Sequence, residues 1–220
     1  MITKKTDIND KILKQELNVI NKKLTLKEID EALYFPKYFQ IETTNLCNSR
    51  CPFCPNSEID KSIPYMSDEL FKKILKELSE YSGWIKSICP QRMGEPLLDK
   101  KIAYRIKALK DINMKFVSMS TNAALLNEQK ATEILKAGID ELMISIDSVE
   151  KSKYIKQRVG LDFDTVIKNI RIFFKLRDEL KPDTIIRVRG IYFANETTEL
   201  EFEKWNLFWG PLKKSMIEFT

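Results

Sequence analysis

The sequence predicts an α/β protein on parallel strands, a partial (β/α)6 barrel preceded by a short N-terminal helical segment. Three observations lead there. From Tyr38 onward six strand-like segments alternate with amphipathic helical ones, and such alternation means parallel strands joined by right-handed crossovers. Six βα units are too few to close an eight-fold barrel. Three of the four cysteines crowd a loop at the C-terminal end of the first strand, the end where parallel α/β proteins place their chemistry. The pattern alone leaves a doubly wound open sheet almost equally compatible.

The N-terminal segment, residues 1–35, reads as helical. Ile12, Leu13, Leu17, Ile20 and Leu24 give one apolar face to a helix over Ile8–Leu24. A shorter helix follows over Leu26–Leu33 with Thr25 as its cap, and Pro36 ends helical structure. The core, residues 36–220, opens with a strand over Tyr38–Asn45. After the cysteine loop, Ser67 with Asp68 and Glu69 marks a helix start, because oxygen caps and acidic residues suit the positive end of the helix dipole. Its expected buried stripe is Leu70, Phe71, Ile74, Leu75 and Leu78.

Strand two is expected over Trp84–Ile88, with a helix over Lys100–Leu109. Strand three is expected over Lys115–Met119, with a helix over Asn127–Ala137. Gly138 stops that helix, since Gly adopts the left-handed backbone a C-cap needs. Strand four runs Glu141–Ile146. A helix over Asp164–Leu180 carries Val166, Ile167, Ile170, Phe173 and Phe174 at helical spacing, and Pro182 ends it. Strand five runs Thr184–Phe193, a helix covers Thr198–Phe208, and a last strand runs Met216–Phe219.

Composition narrows the class. The 220 residues suffice for one full core and a small appendage. The net charge of +5 comes from lysines and arginines spread along the chain, too mild and too dispersed for a nucleic-acid surface. No apolar run approaches bilayer length, and the N-terminal lysines have no apolar stretch behind them, so the expectation is a cytoplasmic chain with no membrane span. There is no His, which leaves acid–base work to carboxylates, Lys, Tyr or Cys.

The cysteines carry the strongest signal. Cys47-Asn48-Ser49-Arg50-Cys51-Pro52-Phe53-Cys54 places three thiols at spacings of three and two intervening residues. Three cysteines cannot all pair, and a chain in a reducing compartment keeps them as thiols. That points to a metal. Zinc in a structural site wants four ligands, and Cys89 is the one thiol left to complete the set. An iron–sulfur cluster held by three cysteines instead keeps one iron open to a substrate or cofactor.

Three further segments stand at successive strand ends. Gln91-Arg92-Met93-Gly94-Glu95-Pro96-Leu97-Leu98 follows strand two, where Gly allows close backbone approach and Glu95 can accept from an ammonium group. Ser120-Thr121-Asn122-Ala123 follows strand three. Ser145-Ile146-Asp147-Ser148 closes strand four, where period two puts Met143, Ser145 and Asp147 on one face. Arg158 follows, with a guanidinium fork suited to a carboxylate. On strand five Arg187 and Arg189 share a face. If that face is the barrel interior they need anions, and Glu42, Asp147 or an acidic substrate could serve. Tyr192 and Phe193 could flank a ring or fill the core. Cys89, alone, reads by default as a small buried thiol.

The cysteine run, with Phe53 before its third Cys, resembles the cluster loop of the radical S-adenosylmethionine (radical SAM) superfamily. The Gly94-Glu95-Pro96 segment is similar to that family's GGEP motif with Met93 at the first position. Ser120-Thr121-Asn122-Ala123 resembles its S/T-N-G turn and Ser145-Ile146-Asp147-Ser148 its S-I/L-D-G segment, each with Gly replaced. The resemblance implies a partial TIM-like barrel from about Tyr38 to the end. It implies a 4Fe–4S cluster on Cys47, Cys51 and Cys54, and S-adenosylmethionine chelating the open iron. Gly94, Glu95, Pro96, Asn122, Ser145, Asp147, Arg158 and Phe53 would surround that cofactor, with Arg158 on its carboxylate.

It further implies reductive cleavage to methionine and a 5′-deoxyadenosyl radical that takes hydrogen from a substrate, with a flavodoxin- or ferredoxin-like electron donor. The pattern is most like the SPASM/twitch branch, whose C-terminal extensions carry auxiliary clusters and whose relatives act on peptides, sugars and other small molecules. This sequence stops at strand six, so a minimal core or a fragment is expected, the missing final helix favouring a fragment. The analogy leans to peptide or carbohydrate modification. Two other classes stay open. One is a structural zinc protein using Cys47, Cys51, Cys54 and Cys89; the other is a cluster-bearing scaffold without turnover.

Overall fold

Alternating polarity and helix caps account for the elements one by one. The computed structural model describes residues 34–191 and 199–210. The chain divides into two compact units, Met1–Lys37 and Tyr38–Thr220, and the second contains every helix and strand among the described residues. In order these are β1 (Tyr38–Gln40), α1 (Asp68–Glu80), β2 (Ser87–Cys89), α2 (Ile102–Asp111), β3 (Ser118–Thr121), α3 (Glu128–Lys136), β4 (Glu141–Ser145), α4 (Lys151–Gln157), α5 (Phe163–Leu180), β5 (Ile185–Arg189) and α6 (Glu199–Trp209). The expected helices over Ile8–Leu24 and Leu26–Leu33 and the strand over Met216–Phe219 lie outside the described residues, as do Tyr192 and Phe193.

Strand order decides between the two architectures left open by the pattern. β1 pairs with β2, and β3 with β4 and β4 with β5, all parallel. A parallel bridge between Ile88 and Val117 joins β2 to β3. The order is thus 1-2-3-4-5 without reversal. A doubly wound sheet would reverse at a switch point, as in order 3-2-1-4-5-6. Consecutive order is that of a barrel wall, so the partial barrel stands, with five of its strands described.

Side-chain caps start three of the helices, Ser67 as expected and Asn127 and Asp162 besides. Ser67 accepts from Leu70 N at 3.1 Å, Asn127 from Lys130 N at 2.9 Å and Asp162 from Thr165 N at 2.8 Å. Gly138 ends α3 with φ of 97°, the left-handed backbone expected of a C-cap glycine. β1 and β4 begin at Tyr38 and Glu141 as expected, whereas β2 and β3 begin three residues later than expected. Trp84 N and Ile85 N both donate to Tyr81 O at 2.9 Å, which ties them into the turn after α1 rather than into β2. Val117 N donates to an Asp140 carboxylate oxygen at 2.8 Å, so β3 begins at Ser118. The short helix α4 was not expected. In α1 the buried stripe centres on Phe71 and Leu78, while Leu70 is 47% exposed on its open edge.

Alternation along β4 and β5 separates two faces. Leu142, Ile144, Ile146, Ile186 and Val188 are fully buried, as are Val166, Ile170 and Phe173 of α5. Each such side chain contributes roughly 1.5–3 kcal/mol by burial. The opposite face, the inner wall, carries Ser120, Met143, Ser145, Arg187 and Arg189. Arg187 pairs with Glu141, so the arginines of β5 do point inward. No helix among the described residues is long and apolar enough to cross a membrane.

Candidate functional site

The cysteine loop leaves β1 and is held in place by backbone and side-chain hydrogen bonds from the turns after β2 and β3 and from the turn between α4 and α5. After β2, Glu95 N donates to Leu46 O at 2.7 Å. After β3, Asn122 Nδ2 donates to Asn48 Oδ1 at 2.7 Å. Beyond β4 and α4, Val159 O accepts from Arg50 N at 2.9 Å and from Ser49 Oγ at 3.1 Å. Gly160, with φ of 94°, comes so close that a Cβ there would lie 3.3 Å from Asn48 O. On the loop's far side Asn56 Nδ2 donates to Asn45 O at 2.9 Å and Met93 O at 3.2 Å, and Lys61 Nζ donates to Asn45 O at 2.9 Å.

Held this way, Cys47, Cys51 and Cys54 line one cavity of about 550 Å³ together with Phe53, Arg50 and Lys61. All four cysteines are free thiols. Burial pushes the Cys47 thiol up from its ordinary value, with smaller pushes from Glu95 and the neighbouring cysteines. Ser49 Oγ lies 3.1 Å from Cys51 Sγ. Cys89 does not line this cavity. It is buried in β2, its Sγ donates to Gln91 Oε1 at 3.8 Å, and burial raises its thiol too. Among the described residues no three His, Cys, Asp or Glu side chains converge tightly enough for a single metal ion. The thiols surround a space rather than a point.

Glu95 sits at the centre of the support. Its Oε1 accepts from Thr121 Oγ1 at 2.6 Å and Leu97 N at 3.1 Å, and its Oε2 accepts from Asn122 N at 2.8 Å. Three of a carboxylate's roughly four lone-pair positions are therefore filled from within the protein. Burial raises its pKa in spite of those bonds. Pro96 follows as the first residue of a 3-10 turn, Pro96–Leu98, that Glu95 caps. The room at Gly94 is used by the chain itself: a Cβ there would stand 2.3 Å from Thr44 O and 2.7 Å from Leu46 O. The close approach read from the sequence is thus between two loops. Gly94→Ala is expected to destabilise the protein by about 1–3 kcal/mol, because backbone rather than a side chain must move; urea unfolding measures it.

Asn122 also accepts from Ala124 N at 3.0 Å through Oδ1, which closes the turn after β3. Ala123, where the family pattern has Gly, takes φ of 60°, a left-handed backbone that strains any residue with a Cβ.

At the end of β4, Asp147 takes Arg158 in a two-point fork, Oδ2 to Nε at 2.5 Å and Oδ1 to Nη2 at 2.8 Å. Asp147 Oδ1 also accepts from Ile191 N at 2.9 Å. Burial opposes the Arg158 charge, but the Asp147 carboxylate outweighs it and the pKa is raised. Arg158 Nη1 points instead toward Cys51 Sγ at 3.8 Å, and its Cζ lies 5.5 Å from the Phe53 ring centre. Ser145 Oγ lies 3.4 Å from Ser120 Oγ on the inner wall.

Cys47, Cys51, Cys54, Phe53, Glu95, Asn122, Asp147 and Arg158 are thus brought together, with Gly94 and Pro96 in the supporting turn and Ser145 on the adjoining wall. Sequence reasoning missed Asn48, Asn56, Lys61, Val159 and Gly160. Asn48 stands inside the motif and could have been flagged; the others gave no local signal.

A model of the radical SAM superfamily matches residues 41–194, more than half of the chain. The chain belongs to the radical SAM superfamily. Members of this family use a 4Fe–4S cluster and S-adenosylmethionine. A protein named as a probable GTP 3′,8-cyclase from Sulfurisphaera tokodaii is 33% identical over 133 residues, covering 60% of this chain and 41% of its own. A PqqA peptide cyclase from Bradyrhizobium diazoefficiens is 29% identical over 129 residues, covering 55% of this chain and 31% of its own. The chain therefore matches less than half the length of either. Streptococcus suis SuiB bound to S-adenosylmethionine shares the fold, with a TM-score of 0.68 at 16% identity over 88% of this chain and 43% of that one.

The donor set fits such a cluster. Three free thiols ring one cavity, the loop bearing them is fixed without their help, and Arg158 and Lys61 stand on or near its rim with positive charge. A cluster ligated by three cysteines asks for just this, soft thiolates and one iron left open.

Proposed function

We propose that this chain is the core of a radical SAM enzyme, with Cys47, Cys51 and Cys54 as the ligands of a 4Fe–4S cluster and S-adenosylmethionine on its open iron. The observation that carries the reading is the cysteine loop pinned by three turns, with all three thiols on one cavity. Together the bound cluster and cofactor would supply reductive cleavage to methionine and 5′-deoxyadenosine, with hydrogen taken from a substrate. The chain's own residues supply position. Glu95 holds the turn after β2 to the turn after β3, and Asn122 passes that constraint to Asn48 beside Cys47. Asp147 orients Arg158, which would meet the cofactor carboxylate through Nη1, the terminal nitrogen Asp147 leaves aside. Ser145 offers a hydroxyl from the wall, and Phe53 shields the loop's open side.

On this reading residues 1–35 form a helical extension and 36–220 the catalytic core. A flavodoxin- or ferredoxin-like donor in a reducing cytoplasm supplies the electron. The relatives' names span a nucleotide and a peptide, and the substrate proposed here is a peptide or small molecule taken at the barrel mouth. The test is anaerobic: reconstitution with iron and sulfide, reduction, addition of S-adenosylmethionine, and assay for 5′-deoxyadenosine. A brown protein that releases it is expected. A colourless protein binding one zinc would overturn the cluster; a brown protein without product would make it a scaffold.

A further inference from the structure

Two arginines on the inner wall make the same reach and meet opposite chemistry. Arg187 lies opposite Met143 in the β4–β5 register and Arg189 opposite Ser145. Each reaches diagonally back along β4. Arg187 finds the carboxylate of Glu141. Arg189, two residues on, finds Met143, its Nη1 lying 3.2 Å from Sδ. A thioether is a weak acceptor and carries no charge. Arg189 Nε is buried and has no hydrogen-bond partner among the described residues. Among the described residues, the two carboxylates expected to serve bond elsewhere: Asp147 with Arg158 and Ile191 N, and Glu42 with Met93 N at 2.9 Å.

A guanidinium cannot shed its proton, so the charge at Arg189 stays. Arg189 is half-buried, and no counter-ion faces it among the described residues; an anion placed against such a partly desolvated cation stabilises it. The neighbouring inner-wall positions carry hydroxyls. Ser145 lies directly opposite, with the Ser120 hydroxyl 3.4 Å from its own. A planar guanidinium fork suits a carboxylate or a phosphate. Arg189 does not line the cysteine cavity, so the anion it takes sits on the wall, away from the three thiols.

We infer that Arg189 is the anchor of an inner-wall subsite for an anionic group of the substrate, a carboxylate or phosphate. The word substrate rests on the radical SAM reading above; the anion site does not. Phenylglyoxal labelling of reconstituted protein, mapped by mass spectrometry at Arg189, tests it with inorganic phosphate, succinate or S-adenosylmethionine as protectant. Labelling is expected to fall about fivefold when phosphate or succinate reaches four times its dissociation constant, and S-adenosylmethionine is expected to give no protection. Met143→Glu, which restores the carboxylate that Arg187 enjoys, is expected to slow labelling with no anion added. An Arg189 that resists labelling, that labels equally with and without both anions, that is protected by S-adenosylmethionine, or that labels at the native rate in Met143→Glu overturns the subsite. Labelling needs no turnover, so failure here is distinct from failure to release 5′-deoxyadenosine.

Discussion

Cys54→Ala is expected to lose the cluster while keeping the fold. Its thiol is one of three on the loop cavity, and the loop's conformation depends on bonds at Leu46, Asn48, Ser49 and Arg50 rather than on sulfur. Partners one shell away from a metal ligand are typically worth about 10–100-fold in affinity, so losing a ligand outright should exceed about 100-fold. Iron content and the brown absorbance after reconstitution should collapse, and S-adenosylmethionine cleavage with them. Thermal stability of the metal-free protein should stay within about 0.5 kcal/mol of native, as for changes that touch no buried contact. Cys89→Ala is the companion. Cys89 is buried in β2 away from the cavity, so the cluster should still assemble. Cluster retention in Cys54→Ala would show that the loop has been misread. Loss in both variants would put Cys89 back among the ligands and revive a four-thiol site.

Glu95→Ala should be the most damaging change outside the thiols. It strips an acceptor from Thr121 Oγ1, Leu97 N and Asn122 N together. A buried donor left unsatisfied costs about 1–3 kcal/mol, so three of them predict a loss of about 3 kcal/mol or more. In a chain of this size that lowers the melting temperature by roughly 6–12 °C. The loss should also reach the loop, because Asn122 bridges Glu95 to Asn48. A change under 1 kcal/mol by urea unfolding would mean that water replaces the carboxylate, and the support role would fall.

Glu95 also has a pH signature. Burial raises its folded pKa above the ordinary 4.5. The folded state then holds the proton to higher pH than the unfolded state does. Its contribution is fully present below about 4.5 and declines as pH rises through the raised value. Glu95→Gln should remove that slope.

Much of the site could be read in advance because its signals are local. The cysteine spacing, the Gly94-Glu95-Pro96 turn, the Ser67 cap and the Gly138 stop each involve residues within a few positions of one another. Alternation of strand and helix depends on periodicity within single segments, and it carried the α/β class and the parallel sense. The starts of β2 and β3 did not follow. Propensity favours Trp84, Phe116 and Val117 as strand residues, but Ile85 N and Val117 N are claimed by Tyr81 O and Asp140.

Roles were harder to read than membership. Glu95 and Gly94 were picked out for a ligand, yet Glu95 bonds residues 26 and 27 positions away and Gly94 makes room for the carbonyls of Thr44 and Leu46. Arg158 was matched to a carboxylate, and the nearest one is Asp147 on the same chain, 11 positions back. The cysteine spacing set in advance that three thiols share one loop at a strand end, since a few residues of chain confine them there. Whether the barrel or the doubly wound sheet formed, and which charge lacked a partner, rested on strand order and register. Those are properties of segments meeting across long separations, with hydrogen bonds and buried charge choosing the partner. Arg187 and Arg189 are indistinguishable in sequence; the diagonal neighbour on β4, Glu141 for one and Met143 for the other, gives one an ion pair and leaves the other without a counter-ion among the described residues.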